Sequence, residues 1–215
     1  MFNKMKKALT AIIAAALLAG CASRNKPWMT LSPGYATERD VATVRVEGGT
    51  QLSERLSFYG FSDIEGTPDK PADAESVYME GRLIYSLGEL DKALEHAGVV
   101  LEYNGGTGFK DFFRMGLSYN AHLWDGNFTA LRILPFETSG DAWPQAGVYS
   151  AQTIGDLTLS ILGEYNIEPR TLYTEIEAAY NISDTFSIFL QGRGFGGLDD
   201  IDLEPVMGIR YTLKF

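Results

Sequence analysis

The chain has two histidines, His96 and His122, and Ser118 precedes the second by four residues. Hydrolytic chemistry needs an imidazole within hydrogen-bond reach of the group it activates. On an extended strand four residues span about 13 Å, so Ser118 and His122 share a face but not a bond. Folding 104–108 as a hairpin tip sets His96 opposite residue 117 and His122 opposite residue 91, too far out of register for a shared metal. "GRGFGG" at 192–197 has the glycine spacing of a dinucleotide loop, but that motif must open a helix. Here a strand runs into an acidic loop, and the glycines read as a bend. Asp199, Asp200, Asp202 and Glu204 cluster, as do Asp69, Asp73 and Glu75, without forming a complete calcium loop. They read as solvated loops that meet lipopolysaccharide through divalent ions. The chain is therefore expected to be no enzyme, with no catalytic residue, no cofactor and no resident metal.

The remaining chemistry-bearing residues come in alternation with apolar ones. In 109–123, Phe109, Phe113, Met115, Leu117, Tyr119, Ala121 and Leu123 share one face, with Asp111 the lone exception near the outer end, and Lys110, Phe112, Arg114, Gly116, Ser118, Asn120 and His122 share the other. A period of two is that of a strand with unlike faces. Ten such segments are predicted: 55–64, 76–86, 93–104, 109–123, 128–137, 145–154, 157–166, 171–181, 185–195 and 204–215. Short breaks such as "WDGNF" and "IGDL" carry hairpin chemistry. They alternate with mostly longer ones such as "GTPDKPADAE" and "GGLDDID".

Segments of about ten residues with short turns on one side and longer loops on the other describe an all-β, antiparallel transmembrane β-barrel. About ten strands are expected, with twelve as the alternative and both termini periplasmic. Tyr85, Tyr103, Tyr119, Tyr165, Tyr180, Tyr211 and Phe215 fall near segment ends, as an interfacial girdle requires. The final "YTLKF" resembles the C-terminal signal of bacterial outer-membrane proteins, which implies the barrel-assembly machinery as a partner through Phe215.

The first 20 residues read as a signal peptide, with Lys4, Lys6 and Lys7 before an apolar run from Ala8 to Leu18. "LAGC" resembles the lipobox of bacterial lipoproteins, which implies a lipid-modified Cys21 and, with Ala22 after it, delivery to the outer membrane. An ordinary signal peptide cut nearby is the alternative. Cys21 is the single cysteine, so disulfides are excluded. Removal of 1–20 leaves 15 cations against 28 acids, a charge of −13, which argues against nucleic acid as a partner. Residues 21–50 are expected to be a linker, with "VATVRVEGG" as one short strand, and 51–215 the barrel.

By the same alternation the lumen receives aromatic rings, Tyr59, Phe61, Tyr78, Phe112, Tyr173 and Phe189. With them come ionisable groups, of which Glu80, Arg82, Arg114, Glu175 and Arg193 complete the candidate substrate-binding set. Two readings stay open: a polar plug of paired charges, or a slot whose rings stack on a flat ligand. "FYGFSDIEG", "EYNGG" and the order of segments over 56–215 resemble the Tsx-like nucleoside-specific outer-membrane channels and their short relatives. The resemblance implies a twelve-strand barrel and a passive channel for nucleosides. The expected function is a narrow outer-membrane channel for passive uptake of small solutes. The alternative is a closed structural or adhesive barrel acting through acidic external loops. Outer-membrane lipid and lipopolysaccharide are the expected surroundings.

Overall fold

The computed structural model describes residues 27–67, 74–88, 90–107, 110–138, 143–198 and 200–215. The signal segment 1–20, Cys21, Asp69, Asp73 and Asp199 lie outside the described residues. Twelve strands follow one another: β1 (Trp28–Ala36), β2 (Val41–Gln51), β3 (Leu56–Gly66), β4 (Ala74–Ser86), β5 (Ala97–Gly106), β6 (Phe112–Ala121), β7 (Asn127–Glu137), β8 (Gln145–Ile154), β9 (Leu157–Asn166), β10 (Thr171–Asn181), β11 (Phe186–Gly197) and β12 (Glu204–Lys214). Each pairs antiparallel with its chain neighbours, and β1 pairs with β12 to close the barrel. The strand count is thus twelve, the alternative to ten.

Of the two additional strands, β1 comes from residues expected to be linker, and β2 extends the short strand expected at "VATVRVEGG". In β1 the outward residues are Met29, Leu31, Pro33 and Tyr35, and the inward ones Thr30, Ser32, Gly34 and Ala36. Pro33 and Gly34 look like a turn in sequence. Here Pro33 lies opposite Val44 of β2, while on the β12 side the paired rows step from Leu31 to Gly34. A residue without an amide hydrogen is tolerated where one ladder bond is given up. Other boundaries also move. The expected 93–104 strand begins at Ala97, because Lys92–Leu94 form a 3-10 turn capped by Asp91, whose carboxylate accepts the Ala93 amide at 2.9 Å. The expected 109–123 strand contracts to Phe112–Ala121. Loop asymmetry is weaker than the sequence suggested. The outer connections 37–40 and 167–170 are as short as the periplasmic 182–185, and the periplasmic 87–96 is long.

The outer face is apolar around the middle, with Leu83, Leu101, Leu131, Ile161, Ile176 and Leu190 among its exposed residues. Tyr85, Tyr119, Tyr180 and Tyr211 band the end where β1 begins and β12 ends, and Tyr35, Phe113 and Phe136 band the other. A closed barrel with an apolar belt between aromatic girdles spans the bacterial outer membrane. Closure leaves no unpaired sheet edge in lipid, which is the condition for a sheet to cross at all. Leu117 sits mid-strand on this belt and is 61% exposed. Leu117→Arg is expected to cost about 2–4 kcal/mol in a refolding titration into lipid vesicles, whereas Ile154→Arg at the periplasmic rim is expected to cost about 1 or less.

Candidate functional site

Alternation aims charged and aromatic side chains into the lumen, and closure brings them together from opposite walls. Arg82 on β4 and Glu164 on β9 stand five strands apart round the barrel, yet their side chains meet at 3.0 Å. Arg82 also bonds Glu102 at 2.9 Å and pairs with Glu80. Arg132 on β7 reaches Glu164 at 2.6 Å and Glu102 at 3.4 Å, and Arg114 on β6 reaches Glu102 at 3.3 Å. The Asn104 amide donates to Glu102 Oε1 at 2.9 Å. Glu102, 0% exposed, is therefore shared by three guanidiniums and an amide. Such a layer is tolerated in a low-dielectric interior because Glu102, Arg82, Arg132 and Glu164 each have more than one partner.

A second layer crosses the lumen elsewhere. Arg45 on β2 holds Asp63 of β3 at 2.7 Å and Glu175 of β10, four strands away, at 2.8 Å. Arg193 approaches the same pair at 3.8 and 3.6 Å. The Gln191 amide donates to Glu175 at 3.2 Å, the Tyr173 hydroxyl donates to Glu175, and Arg210 grips Glu177 with two bonds of 2.9 and 2.7 Å. At the outer mouth Arg39, on the 37–40 turn, clamps Glu65 of β3 at 2.9 Å and Glu204 of β12 at 2.7 Å. Its pKa is raised, chiefly by the hydrogen bonds to Glu65, so the guanidinium stays charged.

Rings line one wall lengthwise. Trp28, at the periplasmic start of β1, lies 6.2 Å from Tyr59, which lies 6.3 Å from Phe61, which lies 5.7 Å from Tyr78 toward the outer end of β4. Guanidiniums already stack on this track, Arg45 over Phe61 at 4.8 Å and Arg82 over Tyr59 at 5.8 Å. Of the other expected rings, Phe112 carries Arg114 at 4.8 Å. Phe189 packs into an apolar cluster with Ala36, Ala179 and Val206, with Arg210 over it at 5.3 Å. All eleven candidate residues face inward, but they fall into three groups. Tyr59, Phe61 and Tyr78 form the track; Glu80, Arg82, Arg114 and Phe112 belong to the first layer. Tyr173, Glu175 and Arg193 belong to the second, and Phe189 stands apart. Trp28 falls in the stretch expected to be linker, and Arg45 and Glu47 in "VATVRVEGG", expected as one short strand outside the ten, so none of the three enters the candidate set. The alternation of Met29–Tyr35 is the signal for β1, and that of Val44–Glu47 the signal for β2.

Toward the periplasm the lumen widens into a cavity of about 250 Å³ lined by Ser57, Ser86, Glu95, His96, Asn120, His122 and Phe128. The histidine register differs from expectation. β5 continues through Gly106, so the hairpin tip shifts, Ala97 pairs Tyr119, and the Asn120 amide donates to the His96 carbonyl at 2.8 Å. Both histidines thus share one vestibule. His122 Nδ1 lies 2.6 Å from the Asn127 carbonyl oxygen, and the His96 ring stands edge-on to Tyr119. Among the described residues the Ser118 hydroxyl has no hydrogen-bond partner, so it forms no dyad with His122. Among the described residues no group of three His, Cys, Asp or Glu is placed to hold a metal ion.

No family model matches the chain, and no curated protein matches it. Solved structures do. The KdgM porin superimposes with a TM-score of 0.58 at 13% identity, covering 86% of this chain and 98% of its own. The NanC porin gives 0.59 at 10%, covering 87% and 99%. Outer membrane phospholipase A from Escherichia coli gives 0.59 at 10%, covering 88% and 90%. At such identities the likeness is one of fold, the closed outer-membrane barrel. Two porins and an enzyme share it, so the fold alone does not separate transport from catalysis.

Proposed function

We propose that this barrel is a narrow outer-membrane channel for passive uptake of small solutes with a flat ring, held nearly shut by its two ion-pair layers. The lengthwise track from Trp28 through Tyr59 and Phe61 to Tyr78 carries the reading. Filling a lumen requires volume alone, whereas rings in sequence along the transport axis offer successive weak stacking sites. Weak, multiple sites let a solute enter and leave. Arg45 and Arg82 occupy two of the rings, so a solute advances by displacing a guanidinium. Two barrels of the same fold are porins, which supports the same class. Nucleosides are the candidate solute, supported by the Tsx-like resemblance and by the affinity of base faces for aromatic rings.

A second reading, a closed barrel acting through its outer loops, draws on the complete burial of Glu102 and on the Arg82–Glu164 bridge across the lumen. Influx into liposomes carrying the folded protein separates the two, with uridine compared against a sugar of similar size. The expected result is faster uridine entry, reduced at least about threefold in Tyr59→Ala as roughly one stacking contact is lost. No entry of either solute, in protein whose gel mobility shifts on heating, establishes the closed barrel.

A further inference from the structure

One lumen carboxylate has no ion-pair partner. The six carboxylates of the two layers each lie within 4.0 Å of a guanidinium, whereas Glu47 on β2 has no such neighbour among the described residues. Its hydrogen bond comes from a neutral donor, the Tyr59 hydroxyl at 3.1 Å. The guanidiniums that act on it electrostatically, Arg45 and Arg210, are engaged elsewhere, Arg45 with Asp63 and Glu175 and Arg210 with both oxygens of Glu177. A half-buried carboxylate with no guanidinium in direct contact is costly to leave so, and favours capture of a cation.

The walls beside it define which cation. Phe61 stands directly across from Glu47 on β3, and the Tyr59 ring that bonds it lies beside the Trp28 indole. Arg45 and Arg82 cover Phe61 and Tyr59, but no guanidinium covers Trp28 among the described residues. Trp28 faces Gly49 across the β1–β2 ladder. A Cβ at Gly49 would come within 3.2 Å of the indole Nε1 and 3.3 Å of Cε2, so the missing side chain is what lets the indole lie close to β2, two residues from Glu47. A hard metal ion wants several oxygens and finds one carboxylate here. An organic ammonium wants a carboxylate and an aromatic face and finds both.

We infer that Glu47, Tyr59 and Trp28 form a binding site for a small organic ammonium ion within the lumen. Its role in transport rests on the channel reading; the binding itself does not.

The test is calorimetric titration of the folded chain with choline, using 3,3-dimethylbutanol as the neutral analogue of the same shape. Saturable binding of choline, absent for the alcohol and weakened about tenfold or more in both Glu47→Gln and Trp28→Leu, is the expected result, because each variant removes one half of a cation site. Two variants are used so that a folding defect in one leaves the other to decide. Equal binding of the alcohol, an unchanged Glu47→Gln, or no choline binding overturns the inference. Planar-bilayer conductance on the same preparation separates the two readings. Choline binding without conductance keeps the site and removes the channel, and conductance without choline binding does the reverse.

Discussion

Glu102→Ala is expected to lower the stability of the barrel by about 3–5 kcal/mol, the cost of stripping one partner from a buried ion pair, and to raise its conductance. Three guanidiniums converge on this carboxylate. Arg82 and Arg132 keep Glu164 when it goes, at 3.0 and 2.6 Å, so the cross-lumen bridge partly survives. Arg114 keeps only a long contact to Asn166 at 3.5 Å and its stack on Phe112. It becomes a buried, poorly paired cation, and swinging toward water is its cheapest remedy. Urea titration in lipid vesicles measures the first effect and single-channel current the second. If neither changes, the Arg82–Glu102–Arg132 layer is not the constriction. Glu102→Gln retains shape and hydrogen bonding, so it is expected to fall between wild type and alanine in both measurements.

The second large effect belongs to Gly208, in the seam where β12 meets β1. A Cβ there would lie 2.2 Å from the Pro33 carbonyl oxygen, 2.8 Å from Gly34 Cα and 2.8 Å from Phe189 Cζ. Two of these three atoms are backbone and cannot move aside without parting the strands. Overpacking alone costs about 1–3 kcal/mol, and here it falls where the paired rows already skip from Leu31–Tyr211 to Gly34–Gly208. Gly208→Val is expected to leave most of the chain in the slow-migrating, unfolded band of an unheated gel. Gly197→Val is the control, since a Cβ at Gly197 meets nothing within 4 Å. Equal folding of the two variants would mean that the seam tolerates separation at this row.

From β3 onward, period-two patterning made the strands legible, because lipid on one side and charged lumen on the other leave little freedom in residue type. The inward set that includes Glu102, Arg132, Glu164, Glu177 and Arg210 followed from the same alternation. Pairing did not. Arg82 meets Glu164 only because twelve strands close at a particular diameter, and no local pattern encodes what lies across a lumen. β1 is illegible for a different reason. Pro33 and Gly34 are strong turn signals, and in β1 they sit mid-strand because Pro33 gives up a ladder bond at the seam. The turn signal hides Trp28, whereas Arg45 and Glu47 lie in the segment expected as one short strand, which is not counted among the barrel strands and so receives no inward face.

Eleven of the twelve strand pairings join chain neighbours, so each can form as a local hairpin. The twelfth joins residues as far apart as Thr30 and Thr212, whose hydroxyls lie 3.0 Å from each other across a separation of 182 residues. Loop-closure entropy must be met before such a contact gives anything back. β1 must wait, one side unsatisfied, until β12 has been made and brought round. The Phe215 amide then donates to the Pro27 carbonyl at 2.9 Å and locks the ends of the sheet together at one rim. The order of assembly is thus written into the topology: eleven hairpin pairings can zip in any sequence, but the seam between the first strand and the last closes after them.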